Sequence, residues 1–258
     1  MVEDKKLMPR RSFDRRVFPS IEYFAQDGCC RIPSLLDSSQ IHVVNSAFDQ
    51  YLASESHADW SRYREFAEQS NWGARCFSGD SRATTLYDCI GVSAELDATI
   101  EAILVGPLGD FLNRELGKKF KIWFAQVRNA APGSASLRMH CDLPGEIGVN
   151  ILLADTGRNA STTVAIPGSQ RWPPVVNTLR FLKPSLFGWC CRYAEGIAGD
   201  AFVFKGSCWH GRRRGGSVAT RSLILSFTSE SDHPKERIVS RKDTPRLSER
   251  LKQAMVTE

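Results

Sequence analysis

Short apolar segments recur after Lys118, and their spacing constrains the fold of this chain more than any other feature. Gly, Pro, Asn and Asp separate the segments, and these residues favour tight turns. Several short strands separated in this way are typical of a β-sandwich or a barrel. The segments are residues 120–127, 136–139, 148–153, 162–166, 188–193, 201–204 and 222–227.

Residues 20 to about 116, in contrast, carry apolar side chains mostly at helical spacing. Ser38 or Ser39 can cap one predicted helix. A second predicted helix runs from about residue 94 to 116, and Gly106-Pro107 should kink it because proline lacks the backbone N–H that a helix interior requires. The predicted helices precede the predicted strands along the chain. This order predicts a mainly β protein with α-helices, in which the helices pack on one sheet of an antiparallel double-sheet core.

The length of 258 residues and the apolar fraction of 42% fit one large globular domain or two small ones. No linker divides the chain, so we predict a basic N-terminal arm at residues 1–19, a single domain at 20–230 and a charged C-terminal tail at 231–258. Leu247, Leu251 and Met255 follow one another at a spacing of four, which predicts a helix in that tail.

Composition disfavours membrane-spanning, secreted and nucleic-acid-binding classes. No apolar run approaches the ~20 residues needed to span a bilayer. The eight cysteines show no C-x-x-C spacing, which argues against a structural zinc site and a secreted disulfide framework and favours a cytoplasmic location. The net charge of +5 includes three consecutive arginines at 212–214, but no aromatic residues that could stack on bases are interleaved with them.

His140, Asp142 and the distant His210 are candidate metal ligands. Residues two apart in an extended segment point to the same side, so His140 and Asp142 can face one pocket. Two histidines and one carboxylate bind Fe(II) on one face and leave its other positions open. Taken separately, a His-x-Asp pair often arises by chance, and His210 can equally be a buried structural histidine.

Arg221 begins an apolar segment eleven residues after His210. Burying an unpaired guanidinium is costly, so we expect a partner for it. A dicarboxylate co-substrate can supply one through a bidentate contact to its distal carboxylate. An ion pair with an internal Asp or Glu is the alternative.

Strand periodicity adds weaker candidates for the walls of the pocket. Gln126 and Arg128 share a face of the strand before the metal motif, and Arg138 has the parity of His140. Ordinary packing is the alternative for each of them. The candidates are Gln126 and Asn150 for binding a co-substrate, and Arg128, Arg138 and Trp209 for binding the substrate.

Taken in order, these residues resemble the phytanoyl-CoA dioxygenase-like branch of the Fe(II)/2-oxoglutarate oxygenases. The likeness covers roughly residues 20 to 228 and depends on five pieces in sequence order. In one of them Gln170 stands where that family usually has a histidine. The pieces are residues 23–33 (helix, turn and strand), His140-Cys141-Asp142, Ala165-Ile166-Pro167-Gly168-Ser169-Gln170, residues 199–204 leading to His210-Gly211, and Arg221.

The resemblance implies a double-stranded β-helix (jelly-roll) core with helices packed on one sheet. It implies Fe(II) held by His140, Asp142 and His210, with O2 and 2-oxoglutarate as co-substrates and the C5 carboxylate of 2-oxoglutarate on Arg221. It also implies release of succinate and CO2, usually with hydroxylation of an unactivated C–H bond. Halogenating relatives lack the carboxylate ligand, so Asp142 favours hydroxylation over halogenation.

The sequence leaves the substrate and one alternative function open. The three arginines at 212–214 lead to the hypothesis of a small anionic substrate such as a carboxylate, a phosphate or a CoA ester, and a solvated loop is the alternative. The main alternative function is a jelly-roll protein that binds a metal or ligand without oxygenase chemistry. We expect no nucleic-acid partner, and the sequence does not indicate an oligomeric state.

Overall fold

The computed structural model describes residues 18, 20–53, 82–87, 89–173, 182–231 and 248–254. The α-helices in this part of the chain are Phe24–Asp27 (α1), Ser38–Ala53 (α2), Ala94–Val105 (α3), Pro107–Leu116 (α4) and Glu249–Ala254 (α5). The strands are Cys29–Ile32 (β1), Ala83–Tyr87 (β2), Lys121–Ala130 (β3), Leu137–His140 (β4), Ile147–Leu152 (β5), Thr163–Ala165 (β6), Arg192–Tyr193 (β7), Ala201–Lys205 (β8), His210–Arg212 (β9) and Thr220–Thr228 (β10).

The strands form two sheets whose strand pairs are antiparallel. The larger sheet has six strands in the order β1-β8-β5-β10-β3-β2, and the smaller has four in the order β4-β9-β6-β7. A small apolar cluster that includes Leu152, Phe204 and Ala165 joins the facing surfaces of the two sheets. The predicted mainly β fold with a double-stranded β-helix core is therefore confirmed.

Among the described residues, the helices α2, α3 and α4 cover the outer face of the six-stranded sheet, as predicted. Alternate residues of β10 (Leu223, Leu225 and Phe227) are fully buried there in one large cluster with side chains of α2, α3 and α4. Burial of each such side chain contributes roughly 1.5–3 kcal/mol of transfer free energy. The residues between them point the other way, because side chains alternate along a strand. The inner face of this sheet is thus left to line the interior between the two sheets.

The ends of the helices follow from local chemistry, with one correction to the predicted caps. Oδ1 of Asp37 accepts a hydrogen bond from the N–H of Gln40 at 2.9 Å, so Asp37 caps α2 rather than Ser38 or Ser39. Gly106 separates α3 from α4 where the kink was predicted. Gly117 ends α4 with a φ of 86°, a conformation that glycine adopts without strain.

Two strands escaped prediction, and both are short or lie in helix-like surroundings. β9 has three residues, one of which is glycine, and β2 falls inside the half of the chain where helical spacing dominates. The predicted C-terminal helix falls partly on α5, whose Leu251 packs into the large core. Leu247, Met255 and most of the N-terminal arm lie outside the described residues. Within the described residues, no helix is long and apolar enough to cross a membrane.

Candidate metal centre

β4 and β9 are neighbours in the four-stranded sheet, and their pairing brings His140 opposite His210. The two imidazole rings lie with their centroids 4.3 Å apart. Asp142 follows just after β4, and its N–H donates a hydrogen bond to the carbonyl of Gly206 at 2.8 Å. Any side chain at Gly206 would come within 2.6 Å of the Leu143 carbonyl oxygen, so glycine is required for this close approach.

The three predicted ligands converge on one point. Oδ2 of Asp142 lies 3.0 Å from Nε2 of His210, and Oδ1 lies 3.6 Å from Nε2 of His140. One donor atom from each of the three side chains lies within 4.8 Å of the others, and in the described part of the chain they form the only His, Cys, Asp or Glu group with such spacing. Two imidazole nitrogens and one carboxylate oxygen form a donor set that suits Fe(II).

Backbone carbonyls determine the tautomer of both histidines. Nδ1 of His140 donates to the carbonyl oxygen of Arg138 at 2.7 Å, and Nδ1 of His210 donates to that of Cys208 at 3.0 Å. Because a carbonyl oxygen can only accept, each Nδ1 must carry the proton in the neutral ring. Nε2 of both rings is then the metal-binding nitrogen, and its orientation is set before any metal arrives.

The charges of the three groups are strongly coupled. Burial lowers the pKa of His140 to about 4, and the neighbouring His210 adds to this effect. Burial also opposes the charged form of His210, but the Asp142 carboxylate outweighs it and the pKa of His210 is raised. Burial by itself raises the pKa of Asp142. The neighbouring His210, and to a smaller extent His140, lower it by more, so the pKa of Asp142 lies below its usual value. In the metal-free protein, the proton of this cluster therefore resides between His210 and Asp142.

Glu146 is a buried carboxyl group beside this cluster that sequence reasoning missed. Burial and the charge of Asp142 both raise its pKa well above the usual value. Its Oε2 accepts a hydrogen bond from the N–H of Leu143 at 3.3 Å, and Ser226 and Trp123 also lie beside it. Burial and the neighbouring Asp142 thus favour the protonated form of Glu146, which lies in the turn that follows Asp142.

Three of the predicted wall residues lie on the inner face of the six-stranded sheet. Gln126 and Arg128 alternate along β3 with residues of the large core. Gln126 and Asn150 both pair with Ile224 of β10, from its two sides. Nδ2 of Asn150 donates to Oγ1 of Thr163 at 2.5 Å, which links the two sheets across the interior. Nη1 of Arg128 donates to Oγ1 of Thr85 on β2 at 3.3 Å.

The structure does not bring Trp209 to this interior. Trp209 is fully buried on the outer face of the four-stranded sheet, where its ring contacts Trp172 and Phe187 edge-on. Its neighbour His210 faces inward, and adjacent residues of a strand point to opposite faces. The predicted role of Trp209 as a substrate-binding wall is therefore corrected. Arg138 is exposed, and its backbone carbonyl orients His140.

Arg221 contacts the helix α2 in this structure. Its guanidinium lies 2.9 Å from Oδ1 of Asp49 and 3.1 Å from Oδ1 of Asn45, both on α2, and 4.7 Å from the ring centre of Phe48. These contacts put the side chain on the helix-covered face of the six-stranded sheet, opposite to the face that lines the interior. Arg221 thus forms an ion pair with Asp49, whose side chain is 61% exposed, and its contact with a co-substrate stays a prediction.

The three consecutive arginines diverge from one another. Arg212 pairs in register with Thr163 and has the same parity as His210, which directs it into the interior. Arg213 points outward, where Nη1 forms an ion pair with Glu195 at 2.8 Å. Arg214 is exposed. Only the first of the three is therefore placed to act within the site.

Comparisons with known proteins agree with this fold. The model of the phytanoyl-CoA dioxygenase (PhyH) family matches residues 24–222. Among solved structures, the non-heme α-ketoglutarate-dependent carbocyclase SnoK from nogalamycin biosynthesis aligns with a TM-score of 0.61 at 13% identity, over 81% of this chain and 82% of that one. EctD from S. alaskensis, solved with 2-oxoglutarate and 5-hydroxyectoine, aligns with a TM-score of 0.60 at 14% identity, over 87% and 80% of the two chains. HygX from Streptomyces hygroscopicus, with nickel, 2-oxoglutarate and hygromycin B bound, aligns with a TM-score of 0.58 at 10% identity, over 81% and 86%. At these identities the likeness to the solved structures shows the fold alone.

Proposed function

The chain belongs to the phytanoyl-CoA dioxygenase family, and on that premise we propose that it hydroxylates an unactivated C–H bond of a small molecule. Bound Fe(II) and 2-oxoglutarate supply the oxidising chemistry: one O2 is consumed, 2-oxoglutarate becomes succinate and CO2, and one oxygen atom enters the substrate. The proposed iron ligands are His140, Asp142 and His210. The observation that carries the proposal is the pair of imidazole rings whose Nδ1 atoms are both held by backbone carbonyls, so that both Nε2 atoms meet the Asp142 carboxylate.

The protein's own groups have three tasks in this reaction. The histidines and Asp142 would hold the metal ion and leave its other positions open to substrate and co-substrates. The rings of Phe204 and His210, with centroids 4.4 Å apart, bury the site on one side and exclude water there. Gln126 and Asn150 present amide groups from the opposite sheet, where they can orient a co-substrate by hydrogen bonds.

Asp142 favours hydroxylation over halogenation. As the third protein ligand, the Asp142 carboxylate would take the position that a halide would occupy in its place. We therefore expect oxygen, rather than chlorine or bromine, to be transferred to the substrate.

We further propose that the substrate carries an anionic group. Arg128 on the inner face of β3 and the exposed Arg138 on β4 are the candidates for binding it. A planar guanidinium forms two parallel hydrogen bonds to a carboxylate or phosphate, which suits both residues to this task. As part of the same proposal we place the protein in the cytoplasm, because the seven cysteines in the described residues are all free thiols.

Product analysis tests this proposal. Purified protein with Fe(II), 2-oxoglutarate and O2 should release succinate. A small anionic substrate should raise the rate of succinate formation, and its product should contain one atom of ¹⁸O when ¹⁸O2 is supplied. Asp142→Ala should abolish both signals, and adding chloride or bromide to that variant tests for halogen transfer. Succinate formation that is unchanged in His140→Ala would refute the assignment of the metal ligands.

One observation favours a second candidate function, a jelly-roll protein that binds metal without oxygenase chemistry. The guanidinium of Arg221 is engaged by Asp49 and Asn45 on α2, so it is withdrawn from the interior. If no other cation serves the distal carboxylate, 2-oxoglutarate binds weakly. Metal binding that is tight, together with no detectable 2-oxoglutarate binding, would favour this second candidate.

A further inference from the structure

Three large apolar side chains project into solvent from one short segment of the chain between β6 and β7. Leu182, Leu186 and Trp189 are all exposed, and Trp189, at 82%, is the most exposed of the large hydrophobic residues that the structure describes. Tryptophan is usually buried over most of its surface, so an exposed tryptophan beside two exposed leucines marks a place of interaction. These three residues form an apolar patch.

The backbone that carries the apolar patch is held against the four-stranded sheet. The carbonyl of Leu182 accepts a hydrogen bond from the N–H of Met139 on β4 at 2.9 Å, and the carbonyl of Phe187 accepts one from the N–H of Cys191, also at 2.9 Å. The ring of Phe187 contacts the buried Trp209 edge-on. The segment therefore packs on the sheet with one apolar side and presents a second apolar side to solvent.

The surface around the apolar patch is positively charged. Residues 156 to 194 include five Lys or Arg residues and no Asp or Glu. Lys183 is exposed within the same segment, and the exposed Arg171 precedes Trp172, whose ring contacts Trp209 as that of Phe187 does. The strands β4, β6, β7 and β9 also contain no acidic residue. This face of the molecule therefore carries charge of one sign.

The opposite side of the molecule has the reverse charge. The helices α2, α3 and α4, which cover the six-stranded sheet, contain six Asp or Glu residues and a single arginine, Arg114. Charges separated in this way orient a protein in front of a negatively charged surface. The four-stranded sheet, and with it the apolar patch, is then the side that meets the surface.

An anionic lipid surface matches both properties of this face. Tryptophan is enriched at the boundary between water and hydrocarbon, because its ring is apolar and its N–H is polar. Lysine and arginine beside it are attracted by anionic head groups. A second copy of the chain fits less well, because a two-fold contact through this face would bring Lys183 and Arg171 of both copies together.

We propose that the apolar patch, with Lys183 and Arg171 beside it, docks this protein on the surface of an anionic lipid bilayer. Leu182, Leu186 and Trp189 enter the boundary between head groups and acyl chains, and the two basic side chains contact lipid phosphates. The protein then lies on the bilayer without spanning it. Docking requires neither the metal ion nor the co-substrate.

Flotation of lipid vesicles with the full chain tests this. The unmodified protein should float with vesicles of equimolar phosphatidylcholine and phosphatidylglycerol, should not float with phosphatidylcholine alone, and should be released by high salt. Trp189→Ser should weaken binding roughly ten- to hundredfold, because a large apolar surface no longer leaves water. Neutralising both basic residues, by combining Arg171→Gln with Lys183→Gln, should weaken it about tenfold.

Ile197→Ser is the matched control. Ile197 is also a large exposed apolar residue, but it lies in a turn beside two acids, Glu195 and Asp155, and Asp155 accepts a hydrogen bond from the N–H of Ala198. Vesicle binding by this variant should stay within about twofold of the unmodified value. All the variants should keep the Tm and the Ni(II) affinity of the unmodified protein, since the substituted side chains are exposed.

Fluorescence quenching identifies the tryptophan that enters the bilayer. Vesicles of the same composition with brominated acyl chains quench only rings that reach the hydrocarbon. Trp189→Phe should still bind these vesicles and should lose the quenching. Quenching that persists in Trp189→Phe, vesicle binding that is unchanged in Trp189→Ser, or no binding by the unmodified protein overturns the inference. A dimer that binds no vesicles and dissociates in Trp189→Ser, measured by light scattering, also overturns it, because the apolar patch is then an interface between two copies.

Discussion

Nε2 of His210 lies 3.0 Å from Oδ2 of Asp142, while Nδ1 of the same ring donates to the carbonyl of Cys208. The imidazole is therefore held between a fixed acceptor and a carboxylate. In the metal-free protein this carboxylate raises the pKa of His210. A metal ion that binds here takes the place of the proton, so metal binding and protonation compete for the same nitrogen.

Metal affinity should consequently depend on pH in a defined direction. The pKa of His210 is raised above 6.5, whereas His140, with a pKa of about 4, is neutral throughout the neutral range. Below the pKa of His210, one proton must leave for each metal ion that binds, so the apparent affinity should rise up to about tenfold per pH unit until that pKa is passed. Calorimetric titration of Ni(II) at pH 6, 7 and 8, in buffers of different ionisation enthalpy, measures both affinity and proton release. Affinity that is constant from pH 6 to 8 contradicts this account.

Arg221→Gln should weaken the fold. The side chain is largely buried between β10 and α2, where it contacts Asp49, Asn45 and Phe48. Losing its hydrogen bonds and its contact with the Phe48 ring should lower the free energy of unfolding by about 1–3 kcal/mol. Asp49→Asn is the matched partner variant and should cost only about 0–1 kcal/mol, because the Asp49 side chain is 61% exposed and its ion pair is screened by solvent. Urea denaturation measures both changes.

Glu146→Gln should be tolerated, and the relative stability of the variant should increase with pH. Burial and Asp142 raise the pKa of Glu146 well above its unfolded value. The contribution of this group to stability is then fully present below pH ~4.5 and declines as the pH rises toward its folded pKa. Glutamine keeps the shape of the protonated acid but does not titrate, so the Tm of the variant relative to the unmodified protein should be higher at pH 8 than at pH 5. Thermal unfolding of the metal-free proteins at both values provides the comparison, and a difference of the opposite sign excludes a protonated Glu146.

Strand alternation made part of the site predictable. The two-residue spacing of His140 and Asp142 predicts that both face one side, and the pairing of β4 with β9 brings the third candidate, His210, to them. The same alternation, applied to Trp209, assigns it to the outer face because its neighbour His210 points inward. The prediction of Trp209 as a wall of the pocket did not apply this alternation, although the position of Trp209 next to His210 is visible in the sequence.

The face of Arg221 was not predictable in the same way. It depends on the register of β10 against β3 and β5, and a slip of one residue reverses every side chain of a strand. The pairing of β10 with β3 contains a register shift after Ser226, which a single sequence does not reveal. Glu146 was missed for another reason, since a glutamate in a turn is ordinarily exposed.

The most direct test of the central claim is the anaerobic visible spectrum of the protein with Fe(II) and 2-oxoglutarate. Co-substrate chelated to iron at His140, Asp142 and His210 should give a weak metal-to-ligand charge-transfer band, which bleaches on adding O2 as succinate forms. His140→Ala should lose the band. Arg213→Gln, whose side chain points away from the site, should keep it. A band of unchanged intensity in His140→Ala, or no band in the unmodified protein at saturating Fe(II) and 2-oxoglutarate, would contradict the account.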